Sequence, residues 1–175
     1  AHMTVMKRKI IIGNWKMNPI SFDEARKIYR SIKRFSAKLS KVETVICPPF
    51  LYIKPFISKR KSNNFSIGAQ NTHFEEQGAY TGEISPIMLY DIGVDYVIVG
   101  HSECRERGET DDIIAKKVAI LLDLGIYAVL CIGEKERNEQ GEHLNFIKNQ
   151  IKASLDKVQK KNINNLIIAY EPIWA

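Results

Sequence analysis

An α/β fold of parallel strands covered by helices is what this sequence predicts, on three observations. Short β-branched runs alternate with helical patterns along the 175 residues. The runs are apolar almost throughout, as in strands covered on both faces. Nearly every run ends in polar or small residues. In a closed (β/α)8 barrel those ends gather at one mouth, where that architecture places its chemistry. An open doubly wound sheet would bring together only the ends at its switch point, so the pattern leans toward the barrel.

The elements follow in order. The first strand is read over Lys9–Gly13, with Asn14 and Lys16 just beyond it. Ser21 and Glu24 form a capping-box signature, and Ile28, Ile32, Phe35 and Leu39 continue at helical spacing. Six cations on that segment (Arg26, Lys27, Arg30, Lys33, Arg34, Lys38) read as the solvated face of the helix. Thr44–Cys47 is the second strand, and Leu51–Ser58 is a short helix despite Pro55. Ser66–Gln70 is the third strand, running into Asn71. Ser85-Pro86 opens a helix through Ile87, Met88 and Leu89. Tyr96–Gly100 is the fourth strand and leads into His101-Ser102-Glu103. Thr110 caps a helix through Ile113, Val118, Leu121 and Leu122, with Gly125 as its C′ residue. Tyr127–Ile132 is the fifth strand, ending on Gly133-Glu134. Glu142–Gln159 is a helix with Leu144, Ile147, Ile151, Leu155 and Val158 on one face, and Leu166–Tyr170 is the sixth strand, ending at Glu171.

Composition bounds the function. Hydrophobic residues at 45% and charged residues at 26% exclude a disordered polyelectrolyte and a disulfide-stapled miniprotein. No apolar run approaches the roughly 18 residues of a membrane span, and no signal peptide is expected. Residues 1–5, opening with Ala1-His2-Met3, read as an expression remnant and flexible N-terminus, leaving 6–175 as the fold. Three cysteines without CxxC spacing point to a reducing, cytoplasmic setting and away from a structural metal. The net charge of +6 raises the question of nucleic acid. No aromatic-basic interleaving answers it, so neither nucleic acid nor a membrane is expected as a partner.

Four strand ends carry chemistry. Asn14 and Lys16 offer an amide and a cation suited to an anionic substrate or a developing oxyanion. His101 follows a strand ending on Gly100, and a helical turn starting at Ser102 would aim its amides at the imidazole and favour the neutral ring. Glu171 precedes Pro172, which restrains it to an extended conformation and fixes the carboxylate's direction. A neutral donor facing a positioned carboxylate, with a cation to stabilise an enediolate, suits proton abstraction next to a carbonyl.

At these residues the sequence resembles the triosephosphate isomerase family. The matching segments are Gly13-Asn14-Trp15-Lys16-Met17-Asn18, Gly68-Ala69-Gln70-Asn71-Thr72, 78–85, Val99-Gly100-His101-Ser102-Glu103, Cys131-Ile132-Gly133-Glu134 and 169–175. The resemblance implies a TIM barrel and interconversion of dihydroxyacetone phosphate and glyceraldehyde 3-phosphate, without cofactor or metal. It makes Glu171 the base, His101 the neutral electrophile, Lys16 the electrostatic partner and Asn14 a substrate-binding residue. Ser102, Glu103 and Cys131 become supporting positions, with Glu103 orienting Lys16. Thr72, Thr81, Gly82 and Glu83 fall in the loop that the family's homodimers insert into a second subunit. Cys104 stands where the family more often has arginine, which puts an ion pair at that position in doubt.

Such barrels typically have about 250 residues, and only six of eight βα units are read here. By resemblance, the lid and the amides that hold the phosphate follow Ala175. The expectation is therefore an incomplete barrel with open edges at its first and last strands. It would be weak or inactive alone and completed by a C-terminal fragment, by a split-enzyme partner or by homo-oligomerisation. The rival expectation is a non-catalytic partial barrel that serves as a scaffold or subunit.

Overall fold

The computed structural model describes residues 9–57 and 64–174, so the remnant read at 1–5 and Ser58 of the expected second helix lie outside the described residues. Strands and helices alternate as expected, and the chain forms two compact units that divide after Gln70.

In the first unit, β1 (Lys9–Asn14), β2 (Val42–Cys47) and β3 (Phe65–Ala69) pair in parallel, with Ile11 opposite Thr44 and Thr44 opposite Phe65. Helix α1 (Phe22–Ser36) starts as its capping signature requires, because Ser21 Oγ accepts the Glu24 amide at 3.2 Å. Its inner face buries Ala25 and stacks Tyr29 on Phe56 of α2 (Phe50–Phe56) at 4.4 Å between ring centroids. Arg26, Lys27, Arg30 and Arg34 are exposed, as a solvated face requires. The helix ends earlier than its apolar spacing implies. Ser36 Oγ turns back to the Lys33 carbonyl, and Asn64 Nδ2 caps the Ser36 carbonyl at 2.6 Å, so Lys38 and Leu39 lie in the following turn.

In the second unit, β4 (Tyr96–Val99), β5 (Tyr127–Ile132) and β6 (Leu166–Tyr170) pair in parallel, with Val99 opposite Leu130 and Ile132 opposite Tyr170. Helix α3 (Pro86–Ile92) has Ser85 as its N-cap and Pro86 in its first turn. A short helix α4 (Ser102–Glu106) follows β4 directly. Helix α5 (Asp111–Asp123) is capped by Thr110, and Gly125, at φ 75°, takes the left-handed position that closes it. The core packs Ile114, Val118 and Leu121 of α5 against Val97, Val99, Ala128 and Leu130. Helix α6 (Glu142–Ser154) is shorter than expected. The amides of Leu155, Asp156 and Val158 just beyond it bond three residues back, and a 3₁₀ turn (Lys160–Asn165) follows, leaving Leu155 and Val158 outside the helix.

Burial on both faces holds for β4 and nearly all of β5 and fails for β1 and β6. Ile11 is 56% exposed and Ile168 42%. Helix α5 packs against β4 and β5, whereas helix cover on β1 and β6 is slighter. Parallel pairing with alternating helices makes this the α/β class, with five βα units and a sixth strand in the order of the (β/α)8 pattern, as in an incomplete TIM barrel.

Candidate active site

In the first unit the site residues follow β1. Lys16 is a non-glycine residue at φ 54°, in the left-handed region that costs a side-chain-bearing residue about 1 kcal/mol or more. Two side chains hold it there. Asn14 Oδ1 accepts the Lys16 amide at 2.9 Å, and Gln70 Nε2 donates to the Lys16 carbonyl at 2.8 Å and to the Cys47 carbonyl at 2.9 Å. Asn14 thus shapes the backbone that carries Lys16. Gln70 is a positioning residue that only its place at a strand end could have flagged.

In the second unit His101 is buried and is the N-cap of α4. The helical turn does begin at Ser102, and the Glu103 amide donates to His101 Nδ1 at 3.2 Å. That bond makes Nδ1 the acceptor and leaves the ring proton on Nε2. Nε2 lies 3.4 Å from Glu171 Oε2, while Glu103 Oε2 lies 3.7 Å from Nδ1. His101 and Glu171, 70 positions apart in the sequence, therefore meet across the ends of β4 and β6. Gly100 permits the turn into His101 at φ 70°, where a Cβ would meet Arg105 Nη2 at 2.9 Å. Arg105 locks this corner by bonding the Gly100 carbonyl at 2.7 Å, Asp111 at 2.6 Å and the Cys131 carbonyl at 3.3 Å. Cys131 is buried. Burial first, and the nearby Glu171 charge second, push its thiol up to about 12, so it packs as an inert thiol.

Cys104 is a thiol and offers no cation for an ion pair. Its sulfur accepts from Arg107 at 3.3 Å, and its thiol is raised, chiefly by burial. The Glu109 side chain, largely covered, is paired with Lys117 and keeps Oε2 without a hydrogen bond. In the loop read as a dimer contact, Thr72 is buried and donates to the Ile84 carbonyl at 3.2 Å, anchoring the base, whereas Thr81, Gly82 and Glu83 are exposed. Among the described residues no group of three or more His, Cys, Asp or Glu side chains is placed to hold a metal ion, and no helix is long and apolar enough to cross a membrane.

Glu134 is the residue that sequence reasoning undervalued. Its buried carboxylate accepts Tyr170 OH at 2.8 and 3.0 Å, Arg137 Nε at 2.8 Å and Trp174 Nε1 at 2.9 Å. It ties the chain after Glu171 to the end of β5. Burial acts to raise its pKa, but the hydrogen bonds from Trp174, Arg137 and Tyr170 outweigh burial and hold it at about 2. A folded value below the ordinary 4.5 contributes stability that is fully present above 4.5 and lost as pH falls toward 2. Urea unfolding of Glu134→Gln between those limits is therefore expected to show a flatter pH dependence than the parent. Parallel curves would contradict this.

A family model described as triosephosphate isomerase matches residues 9–175. A triosephosphate isomerase of Natranaerobius thermophilus is 45% identical over 173 residues, covering 97% of this chain and 66% of the relative. One from Clostridium botulinum is 42% identical over 172 residues, covering 97% of this chain and 68% of its own length. One from Dehalococcoides mccartyi is also 42% identical, with 66% of its length covered. The chain thus spans about two thirds of the length of these curated relatives.

Proposed function

The chain belongs to the triosephosphate isomerase family, and we propose that it carries the proton-transfer chemistry of an aldose–ketose isomerase. It interconverts dihydroxyacetone phosphate and glyceraldehyde 3-phosphate without a cofactor, a step of glycolysis and gluconeogenesis. Glu171 takes a proton from the carbon beside the substrate carbonyl, forming an enediolate, and returns it to the neighbouring carbon. His101 donates its Nε2–H to the oxygen where charge develops and shuttles the proton between the two oxygens. Lys16 stabilises the anionic substrate and the enediolate, and Asn14 binds substrate while shaping the Lys16 backbone. Ser102, Glu103 and Cys131 support these groups. The observation that carries this reading is the 3.4 Å approach of His101 Nε2 to Glu171 Oε2, with Nδ1 occupied by the Glu103 amide. A carboxylate and an N–H donor so placed can serve adjacent atoms of one small substrate.

The exposed loop tip at Thr81, Gly82 and Glu83 supports a homodimer in which it contacts a second copy of this chain. Free thiols at Cys47, Cys104 and Cys131 support a cytoplasmic setting. The experiment is a complementation assay. The 175 residues assayed alone are expected to turn over triose phosphate far more slowly than the same chain completed with the remaining third of its relatives, whether joined or added as a fragment. Full activity from the 175 residues alone would defeat that dependence. An inactive completed enzyme would leave the scaffold reading.

A further inference from the structure

The base has a support that none of the roles above assigns. The Glu171 amide donates to the Ile132 carbonyl at 2.8 Å and the Ile173 amide to the Glu134 carbonyl at 3.0 Å, so residues 132–134 form the rail along which the Glu171 segment runs. Gly133, at the middle of the rail, turns its own amide toward α6. There Gln150 Oε1 accepts it at 2.9 Å in a fully buried bond. Gly133 also meets the Glu171–Pro172 peptide face to face. A Cβ on Gly133 would stand 1.9 Å from the Glu171 carbonyl oxygen and 2.6 Å from its carbon. Backbone occupies that space, so any side chain at 133 has to push the base segment away.

We propose that Gln150 and Gly133 are positioning residues for Glu171, with the Gln150 carbonyl oxygen fixing the Gly133 peptide and the bare Gly133 Cα forming the floor under the Glu171–Pro172 peptide. The inference rests on the reading of Glu171 as the base. A buried glutamine on a core-facing helix position is costly unless hydrogen-bonded, and here its bond is spent on one peptide beside the carboxylate. Misplacing a reacting group by about 1 Å costs on the order of a hundredfold in rate. A shift of the Gly133 peptide reaches Glu171 directly and bypasses substrate binding.

The test compares Gln150→Met, which loses the acceptor, with Gln150→Glu, which keeps an acceptor oxygen at the same reach. In the chain completed as above, Gln150→Met is expected to lower kcat about tenfold to a hundredfold with KM within about twofold. Gln150→Glu is expected to recover most of the loss. In a Glu171→Gln background Gln150→Met should cost nothing more. In the 175-residue chain, the ¹⁵N signal of His101 Nε2 should move in Gln150→Met toward its position in Glu171→Gln. Unchanged kcat and signal overturn the proposal. So does equal loss in both Gln150 variants, or a loss that persists without Glu171. If Gln150→Met does not fold, Gly133→Ala decides on the same readouts, and failure of both to fold overturns the proposal because a purely structural role suffices. Full turnover by Glu171→Gln would instead remove the base assignment, while the His101 signal still judges the Gln150 support.

Discussion

Glu171→Gln is expected to lower kcat about a thousandfold while KM changes little, the scale on which a positioned general base acts. The amide keeps the shape of the side chain and its backbone bond to Ile132, so the fold and the substrate contacts persist. What is lost is the ability to accept a proton. Because that acceptance occurs only on the way to the enediolate, the loss falls on turnover and spares binding. Thermal unfolding at the parent temperature, measured beside the steady-state constants, separates this outcome from simple destabilisation. A variant that is stable and retains parent turnover would take Glu171 out of the chemistry.

Lys16→Met is expected to lower kcat/KM about a hundredfold or more, with KM rising and kcat falling together. A cation that meets both an anionic ground state and a developing enediolate contributes to each, so its removal divides between the two constants. Lys16→Arg is not expected to rescue, since a forked guanidinium does not replace a compact ammonium. The backbone supplies an internal control. At φ 54° glycine is better accommodated than any side chain. Lys16→Gly should therefore be at least as stable as the parent while losing the same activity. Loss of stability in step with activity would mark Lys16 as structural.

The strand pattern was readable because β-branched runs declare buried parallel strands by composition alone, and all six fall within a residue or two of their expected limits. Local caps were equally readable, since Ser21, Ser85 and Thr110 bond amides two or three residues away. His101 and Glu171 stood out because each ends an apolar strand, and the amide aimed at His101 comes from only two residues on. What escaped depends on distant partners. Gln150 looks like any polar helix residue until its bond to Gly133 is seen, and Glu134 finds Trp174 across 40 positions. Helix α1 stops at Ser36 through a cap from Asn64, a partner 28 residues away that the apolar spacing could not announce. The exposure of Ile11 and Ile168 likewise depends on which helices cover each strand and not on the strand's own residues.

Solvent exchange at the reacting carbon tests the central claim most directly. With triose phosphate in D₂O, the completed enzyme is expected to place deuterium on the carbon beside the carbonyl during isomerisation, because the proton held by Glu171 exchanges with solvent, and Glu171→Gln is expected to slow that incorporation about a thousandfold. Isomerisation in which deuterium enters at the parent rate without Glu171 would contradict the account.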